Sequence, residues 1–231
     1  MKQAPWKKIF AVTMLLSSLA GCGGGGDELP AMLSVDTASG TTSFSSTALS
    51  STLATYSLAD LSAAEAASLL FMREEEQLAH DVYAKSATFW SNPIFTNIAS
   101  SEATHAAAMK TLLDRYSLAD PLAGLPNGTF KSAEFQALYI QLVATSQTSL
   151  IAALKVGVQI EELDMRDITA QKASIDNRDI LMVYDNLLKG SRNHLRSFYK
   201  LLLQNGGTYV PQYISQAEFD AIVNTPIETG K

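Results

Sequence analysis

The sequence contains a single cysteine, Cys22, so the chain can form neither an internal disulfide nor a thiolate metal site. The apolar run at residues 9–19 is too short to span a bilayer as a helix, and no later stretch is long and apolar enough to predict a membrane-spanning helix. It also lacks the alternation of apolar and polar residues that predicts strands, and it has no repeat of solenoid length. These absences favour a single domain built from helices.

The sequence also has fewer basic than acidic residues. The formal net charge is −6, from 17 lysines and arginines against 23 acids. Lys2, Lys7 and Lys8 belong to a leader segment without acids, so the remaining chain is more acidic still. A domain with this charge repels the phosphate backbone, and we therefore predict no nucleic-acid partner.

The leader, residues 1–21, predicts export. Its order of basic residues, a short apolar run and small residues is that of a secretory signal. The tetrapeptide Leu19-Ala20-Gly21-Cys22 resembles the bacterial lipobox, which implies cleavage before Cys22 and lipid attachment to its thiol; an ordinary secretory signal is the alternative. The resemblance implies an extracytoplasmic protein anchored by lipid to a membrane of the cell envelope. Gly23, by resemblance to the sorting rules of Gram-negative lipoproteins, implies the outer membrane.

Composition divides the rest of the chain into three parts. Residues 22–57 are rich in Gly, Ser, Thr and Ala and bury too little apolar surface to offset their ordering entropy, so we predict a lipidated, flexible tether. Residues 58–223 form the folded domain, and residues 224–231 form a tail. Serine-led caps, helical periodicity and Gly or Pro breaks predict helices at about 62–88, 95–116, 132–145, 149–172, 176–204 and from 215. The predicted fold class is all-α, a four-helix bundle with additional short helices.

Each long helix carries polar side chains within its apolar face when residues are placed at intervals of about 100°. In the first helix Glu75 lies in the middle of that face, whereas Glu74 lies on the polar side and Glu76 at the edge. In the third long helix Glu161 faces inward and Glu162 belongs to a solvated stripe. The predicted inward-facing candidates are Glu75, Glu102, His105, Glu161, Asp164 and His194.

These side chains together predict a metal site. One inward glutamate or histidine alone is more simply explained as a core residue satisfied by a neighbour. Several buried carboxylates, however, need pairing, protonation or metal coordination, since an isolated ionised carboxylate in low dielectric is very unfavourable. No lysine or arginine lies at the apolar centre of the long helices to pair with them. Two divalent ions would neutralise the carboxylates, and the imidazoles would complete the ligand set.

The arrangement resembles the ferritin-like di-iron carboxylate superfamily, in which two helices each supply a glutamate and two others each supply Glu-x-x-His. Glu75 and Glu161 resemble the single glutamates, and Glu102-Ala103-Thr104-His105 resembles one Glu-x-x-His element. The fourth helix departs from the pattern, because Ser191 stands where glutamate is expected. Asp164, on the same face as Glu161, could supply the missing carboxylate.

Longer motifs carry a closer resemblance. They are Met72-Arg73-Glu74-Glu75-Glu76, Ser101-Glu102 with His105, Ile160-Glu161-Glu162-Leu163-Asp164 and Gly190-Ser191-Arg192-Asn193-His194-Leu195-Arg196. Together they resemble an uncharacterised bacterial and archaeal ferritin-like family, domain of unknown function 2202, over about residues 58–223. The resemblance implies a ferritin-like fold and a metal centre, and it implies no established activity.

Carboxylate and imidazole ligands suit iron or manganese better than softer metals. The first hypothesis is therefore a redox-active protein with two iron or manganese ions that acts on O₂, peroxide or Fe²⁺; whether it is an enzyme stays open. Glu102 and either Asp164 or Glu161 would bridge the ions, with His105 and His194 as terminal ligands. The candidates for side chains that surround and support the ligands are Tyr83, Tyr184, Ser191 and Asp167.

The alternative hypothesis is a non-enzymatic binding or structural lipoprotein with a vestigial metal site. Ser191 favours it, because the serine removes one expected ligand. A metal-storage cage is a third and less favoured hypothesis, since a closed shell leaves little room for a tether and a lipid anchor. The sequence leaves dimerisation open.

Overall fold

The computed structural model describes residues 31–229, and its architecture is mostly helical. The leader at residues 1–21, the lipidation site at Cys22 and the tether as far as residue 30 lie outside the described residues. Two short strands come first, β1 (Leu33–Val35) and β2 (Thr42–Phe44). The helices that follow are α1 (Ser46–Leu53), α2 (Ala63–Phe89), α3 (Pro93–Arg115), α4 (Ala133–Ser146), α5 (Leu150–Lys172), α6 (Arg178–Gln204) and α7 (Gln216–Val223). Within residues 31–229, no helix is both long and apolar enough to cross a membrane.

Three of the long helices, α2, α3 and α5, begin after residues whose side chains accept from backbone N–H groups of the first turn. Ser62 Oγ accepts from the Glu65 N–H, and the Glu65 carboxylate accepts from the Ser62 N–H in return. Asn92 and Ser149 cap α3 and α5 with their side chains. Glu65 also accepts from the backbone N–H of Asn177 at 3.0 Å, and this contact ties the start of α2 to the start of α6.

The four long helices α2, α3, α5 and α6 pack side by side. Helix α2 lies along α3 and α5 lies along α6, while α2 also contacts α5 and α3 also contacts α6. Their buried apolar side chains form two clusters. One, the Phe198 cluster, includes Leu78, Val82, Phe95, Ile98, Leu195 and Phe198. The other, the Met109 cluster, includes Met72, Met109, Leu112, Ile168, Val183 and Leu187.

The prediction of a flexible tether is wrong for residues 32–53. Strands β1 and β2 pair antiparallel, with Leu33 opposite Phe44, and α1 follows with Ser45 as its cap. The segment buries its apolar side chains in the Met109 cluster; they are Met32, Leu33, Phe44, Leu49 and Leu53. Ser and Thr separate these apolar residues along the sequence, but the hairpin and the short helix bring them onto one surface. Their burial there offsets the entropy lost when the segment becomes ordered. The prediction of a helical architecture is confirmed, and the two short strands are an addition that it did not include.

The hairpin of β1 and β2 is attached to α3 by hydrogen bonds as well as by apolar contact. The Thr42 N–H donates to Ser101 Oγ at 3.0 Å, and the Phe44 N–H donates to Thr104 Oγ1 at 3.0 Å. Strand β2 therefore lies against the middle of α3, beside the residues Glu102 and His105.

Acids that were predicted on solvated faces are buried by later segments of the chain. Glu162 is fully buried because the chain after α6 folds over α5. Its carboxylate accepts from the Tyr209 hydroxyl and from the backbone N–H of Gln212 at 3.1 Å. Glu74 is also buried, and its carboxylate accepts from the Ser132 N–H at 3.0 Å. A helical wheel cannot show this, because it contains no information on which polar face another segment covers.

Replacing Glu162 with alanine is expected to lower the free energy of unfolding by about 3 kcal/mol, because buried donors lose a charged acceptor. Denaturant unfolding of the variant measures the loss. Glu134→Ala, at an exposed site in the first turn of α4, is the matched control and should change stability by about 0.5 kcal/mol or less. A Glu162→Ala variant as stable as this control would contradict the prediction.

Candidate metal centre

A layer of polar side chains lies between the two apolar clusters. It consists of Glu75, Glu76, Glu102, His105, Glu161, Asp164, Ser191 and His194, two from each long helix. None of these residues is more than 6% exposed. On each helix the pair falls between residues that belong to the Phe198 cluster and residues that belong to the Met109 cluster. We refer to this set as the polar layer.

Two groups of potential metal ligands occur in the polar layer, and Glu102 belongs to both. One group is Glu76, Glu102 and His105; the other is Glu102, Glu161 and His194. Within each group, one ligand atom from every residue lies within 4.8 Å of the others. The two imidazole rings lie nearly parallel, with centroids 5.4 Å apart. The two groups could hold two neighbouring cations with the Glu102 carboxylate between them.

The two carboxylate oxygens of Glu102 face different histidines. Oε2 lies 3.0 Å from His105 Nδ1, and Oε1 lies 2.7 Å from His194 Nδ1. Each histidine nitrogen has a second carboxylate nearby: Glu76 Oε2 at 3.5 Å from His105 Nδ1, and Glu161 Oε2 at 3.6 Å from His194 Nδ1. Each half of the centre thus has one imidazole nitrogen, one carboxylate of its own and one oxygen of Glu102.

Several atoms of the polar layer are buried without a hydrogen-bond partner among the described residues. They include His194 Nδ1, Glu76 Oε1 and Asp164 Oδ1. Although Glu102 Oε1 is only 2.7 Å from His194 Nδ1, the pair is too poorly aligned for a hydrogen bond. Buried polar atoms of this kind are rare and unfavourable. Potential ligand atoms that lie close together without forming a hydrogen bond are expected where their lone pairs converge on a cation. The residues of the polar layer therefore fit a metal ion.

Burial and neighbouring charges shift the pKa values of different residues of the polar layer in opposite directions. Burial raises the pKa of Glu76 to about 7, although His105 acts to lower it. Burial would also raise the pKa of Glu102, but the facing His105 and His194 hold it well below its usual range. Burial opposes protonation of His194, yet Glu102 and Glu161 raise its pKa to about 9. Metal binding at His194 Nδ1 must therefore displace a proton at neutral pH.

Two predicted ligands, Glu75 and Asp164, lie in the polar layer but outside both ligand groups. The structure places Glu76, and not Glu75, against His105. The two glutamates are about 100° apart on the helix, and α2 is contacted on different sides by α3 and α5, so both of them face inward. Burial, with the charges of Asp164 and Asp167, raises the pKa of Glu75 well above its usual value. The ligand roles of Glu75 and Asp164 stay predictions.

The residues predicted to support the ligands differ in what they touch. Tyr83 donates to Glu161 Oε1 at 2.6 Å and so contacts a ligand group directly. Ser191 donates to Asp164, which explains how a serine is accommodated at this position. The Tyr184 hydroxyl forms a hydrogen bond with Ser68 at 2.8 Å.

Asp167 lies at the rim of the polar layer. Both of its oxygens accept from the Arg166 guanidinium at 2.8 Å, and its charge acts on Glu75. Asp167 therefore acts on the predicted ligand Glu75 through its charge, and among residues 31–229 it forms no ion pair or hydrogen bond with either ligand group.

Besides Glu76, which belongs to a ligand group, sequence reasoning missed two residues that shape the centre. Thr42 Oγ1 lies 2.9 Å from His105 Nε2 and 3.1 Å from His194 Nε2. Gly190 makes room for the His105 ring, because a Cβ at this position would lie 2.5 Å from His105 Cε1. A glycine in the middle of α6 is a usable signal, since helix interiors disfavour it. The low-complexity sequence around Thr42 offers no such signal.

Comparison with known proteins shows what the chain is similar to. The family model described as "Uncharacterized protein domain (DUF2202)" matches residues 65–226. Uncharacterized protein MJ0754 of Methanocaldococcus jannaschii is 45% identical over 169 residues, which cover 73% of this chain and 91% of that protein. The crystal structure of hypothetical protein MJ0754 aligns with a TM-score of 0.73 at 44% identity, covering 74% of this chain and 98% of the other. Thr42 lies before the region that the family model matches.

Proposed function

We propose that this chain, which belongs to the DUF2202 family, is a ferritin-like protein that binds two iron or manganese ions in its polar layer. One observation carries the proposal. The two carboxylate oxygens of a single buried residue, Glu102, each face the Nδ1 atom of a different histidine. A carboxylate that bridges two cations has this geometry, whereas a carboxylate serving only as a hydrogen-bond acceptor has no need of a second histidine.

The ligand sets follow from the two groups. Glu76 and His105 Nδ1 would hold one ion, Glu161 and His194 Nδ1 would hold the other, and Glu102 would bridge them. Oxygen and imidazole nitrogen donors suit iron and manganese, and three protein donors for each ion leave positions open for small molecules. The negative charge of the three glutamates is compensated by two divalent cations, which removes the unfavourable burial of unpaired charge.

The distribution of the candidate ligands over the four long helices supports the ferritin-like assignment. The Glu-x-x-His element of α3 supplies Glu102 and His105, while α2 and α5 each supply a glutamate. Helix α6 supplies His194 but carries Ser191 in place of the second Glu-x-x-His glutamate. Ser191 donates a hydrogen bond to Asp164, so the residue that departs from the superfamily pattern contacts a neighbouring carboxylate.

A pair of such ions, when bound, supplies redox chemistry toward O₂, peroxide or Fe²⁺. The residues of the chain set the conditions for it. The Phe198 and Met109 clusters exclude water from both sides of the layer, which strengthens the electrostatic interactions inside. Tyr83 holds Glu161 by donating to its Oε1. These residues provide a dry site in which the ligands have fixed orientations.

The proposal also covers the location of the protein. The order of charge, apolar run and small residues before Cys22 supports export and lipid attachment. We propose that the domain acts outside the cytoplasm, anchored by lipid to a membrane of the cell envelope, with metal ions and small oxidants as its partners.

Metal loading tests the proposal directly. The chain without its leader, with Cys22 replaced, is treated with chelator and then titrated with Fe²⁺ without oxygen, or with Mn²⁺; we expect two ions per chain. At a free metal concentration 100 times Kd, each ion stabilises the fold by about 2.7 kcal/mol, so two ions together raise the melting temperature by about 10–20 °C.

Two single variants serve as internal controls for this titration. Glu76→Gln should weaken the binding of one ion and Glu161→Gln the binding of the other, since each glutamate belongs to one ligand group. A chain that binds no metal, and melts at the same temperature with and without chelator, would support the alternative of a structural lipoprotein with a vestigial site.

A further inference from the structure

The Thr42 hydroxyl contacts both histidines of the candidate metal centre. Its Oγ1 lies 2.9 Å from His105 Nε2 and 3.1 Å from His194 Nε2, and Thr42 is 2% exposed. These are the ring nitrogens on the side opposite to Glu102, which faces both Nδ1 atoms. One side chain from the N-terminal hairpin therefore touches a ring in each half of the centre.

The hydroxyl group of Thr42 can serve both rings at once. A neutral imidazole that offers its Nδ1 lone pair to a cation carries its proton on Nε2 and donates from there. A hydroxyl oxygen has two lone pairs and can accept from two donors. The distances at Thr42 satisfy this arrangement for both histidines, and both Nδ1 atoms are then free to bind metal.

The position of Thr42 is fixed by its surroundings. Its backbone N–H donates to Ser101 Oγ at 3.0 Å, which holds β2 against α3. The ring of Phe44, two residues later, meets the His105 ring edge to face at a centroid distance of 5.5 Å. Gly190 leaves the space that the hydroxyl and the ring occupy, since a Cβ there would lie 3.1 Å from Thr42 Oγ1 and 2.5 Å from His105 Cε1.

We propose that Thr42 is the positioning residue of the metal centre, accepting from Nε2–H of both histidines and thereby directing both Nδ1 atoms at the cations. The inference rests on the proposed function and extends it to a residue outside the region that the family model matches. Because Thr42 contacts a histidine in each half, its loss lowers the affinity for both ions. Loss of Glu76 or Glu161, by contrast, lowers the affinity for one ion.

The experiment compares Thr42→Val and Thr42→Ser in the full chain, with Co²⁺ as the probe and visible absorption as the readout. Valine keeps the shape and removes the acceptor, so the affinity for both Co²⁺ ions should fall by about 10- to 100-fold. Serine keeps the hydroxyl and should stay within about threefold of the original chain. Thr41→Val is the matched control, since the Thr41 hydroxyl bonds to Ser39 Oγ and to neither histidine.

A second measurement reports the ring protons themselves. Nitrogen-15 NMR of the histidines in the Zn²⁺-loaded original chain should show both rings protonated at Nε2, with both protons protected from exchange. Thr42→Val should lose that protection and Thr42→Ser should keep it. A ring bound through Nε2 in the original chain would overturn the inference even if Thr42→Val failed to fold.

The outcomes separate the two proposals. If the original chain binds neither Co²⁺ nor Zn²⁺, the proposed function fails and this inference fails with it. If the original chain binds two ions and Thr42→Val binds both as tightly, the inference alone is overturned.

Discussion

Replacing Glu102 with alanine is expected to abolish the binding of both metal ions. Each ligand group contains Glu102, and its two oxygens face one histidine each, so the substitution removes a ligand from both ions at once. Replacement of a residue that only supports a ligand lowers metal affinity by about 10- to 100-fold. Loss of the shared ligand Glu102 should lower the affinity for each ion by more than about 100-fold, the upper end of that range. The measurement is a Co²⁺ or Fe²⁺ titration with the bound metal counted by elemental analysis.

Glu74→Gln is the matched control for the Glu102 experiment. Glu74 is buried like Glu102, but it lies outside the polar layer, where its carboxylate accepts from the Ser132 N–H, and it belongs to neither ligand group. We expect the control to keep two ions per chain. Two results would contradict the assignment: two ions retained by Glu102→Ala, or a loss on Glu74→Gln as large as that on Glu102→Ala. Glu75→Gln tests separately the ligand role that is predicted for Glu75.

A chain that begins at Leu58 is expected to melt about 6–12 °C below a chain that begins at Ala31. The shorter chain lacks the hairpin and α1, whose side chains cover the Met109 cluster. Each large apolar side chain that is fully buried contributes about 1.5–3 kcal/mol, offset in part by the entropy of ordering the segment. For a domain of this size, a net loss of about 3 kcal/mol corresponds to such a change in melting temperature.

Circular dichroism melts of the two chains, both without the leader and Cys22, measure the difference. Metal titration of the same pair adds a second readout, since the shorter chain also lacks Thr42 beside the histidines. Melting temperatures that agree within about 2 °C would show that residues 31–57 do not contribute to the stability of the domain.

The long helices were predictable because local rules determine where they begin. Helices predicted at about 62–88 and 149–172 correspond to Ala63–Phe89 and Leu150–Lys172. In both, a serine before the first turn accepts a backbone N–H, and this chemistry depends on neighbouring residues alone. The Glu-x-x-His spacing of α3 is likewise local, because residues three apart share a helix face.

The features that escaped prediction depend on contacts between distant segments. The place of Glu76 in a ligand group depends on α2 having more than one neighbouring helix, which a single wheel cannot represent. The burial of Glu162 depends on the chain near Gln212 folding over α5. The contact of Thr42 with His194 joins residues 152 positions apart, through a segment whose composition is typical of a flexible linker.

The alternation of apolar cluster, polar layer and apolar cluster also sets the alignment of the helices. A slip of α6 by one turn, about 5.4 Å along its axis, would carry His194 away from Glu102 and into the Phe198 cluster. An apolar side chain would then face the acids, and several buried charges would lose their partners, which is strongly unfavourable. Uniformly apolar helices have no comparable penalty against sliding. The acids and histidines of the polar layer therefore also specify one register for the long helices.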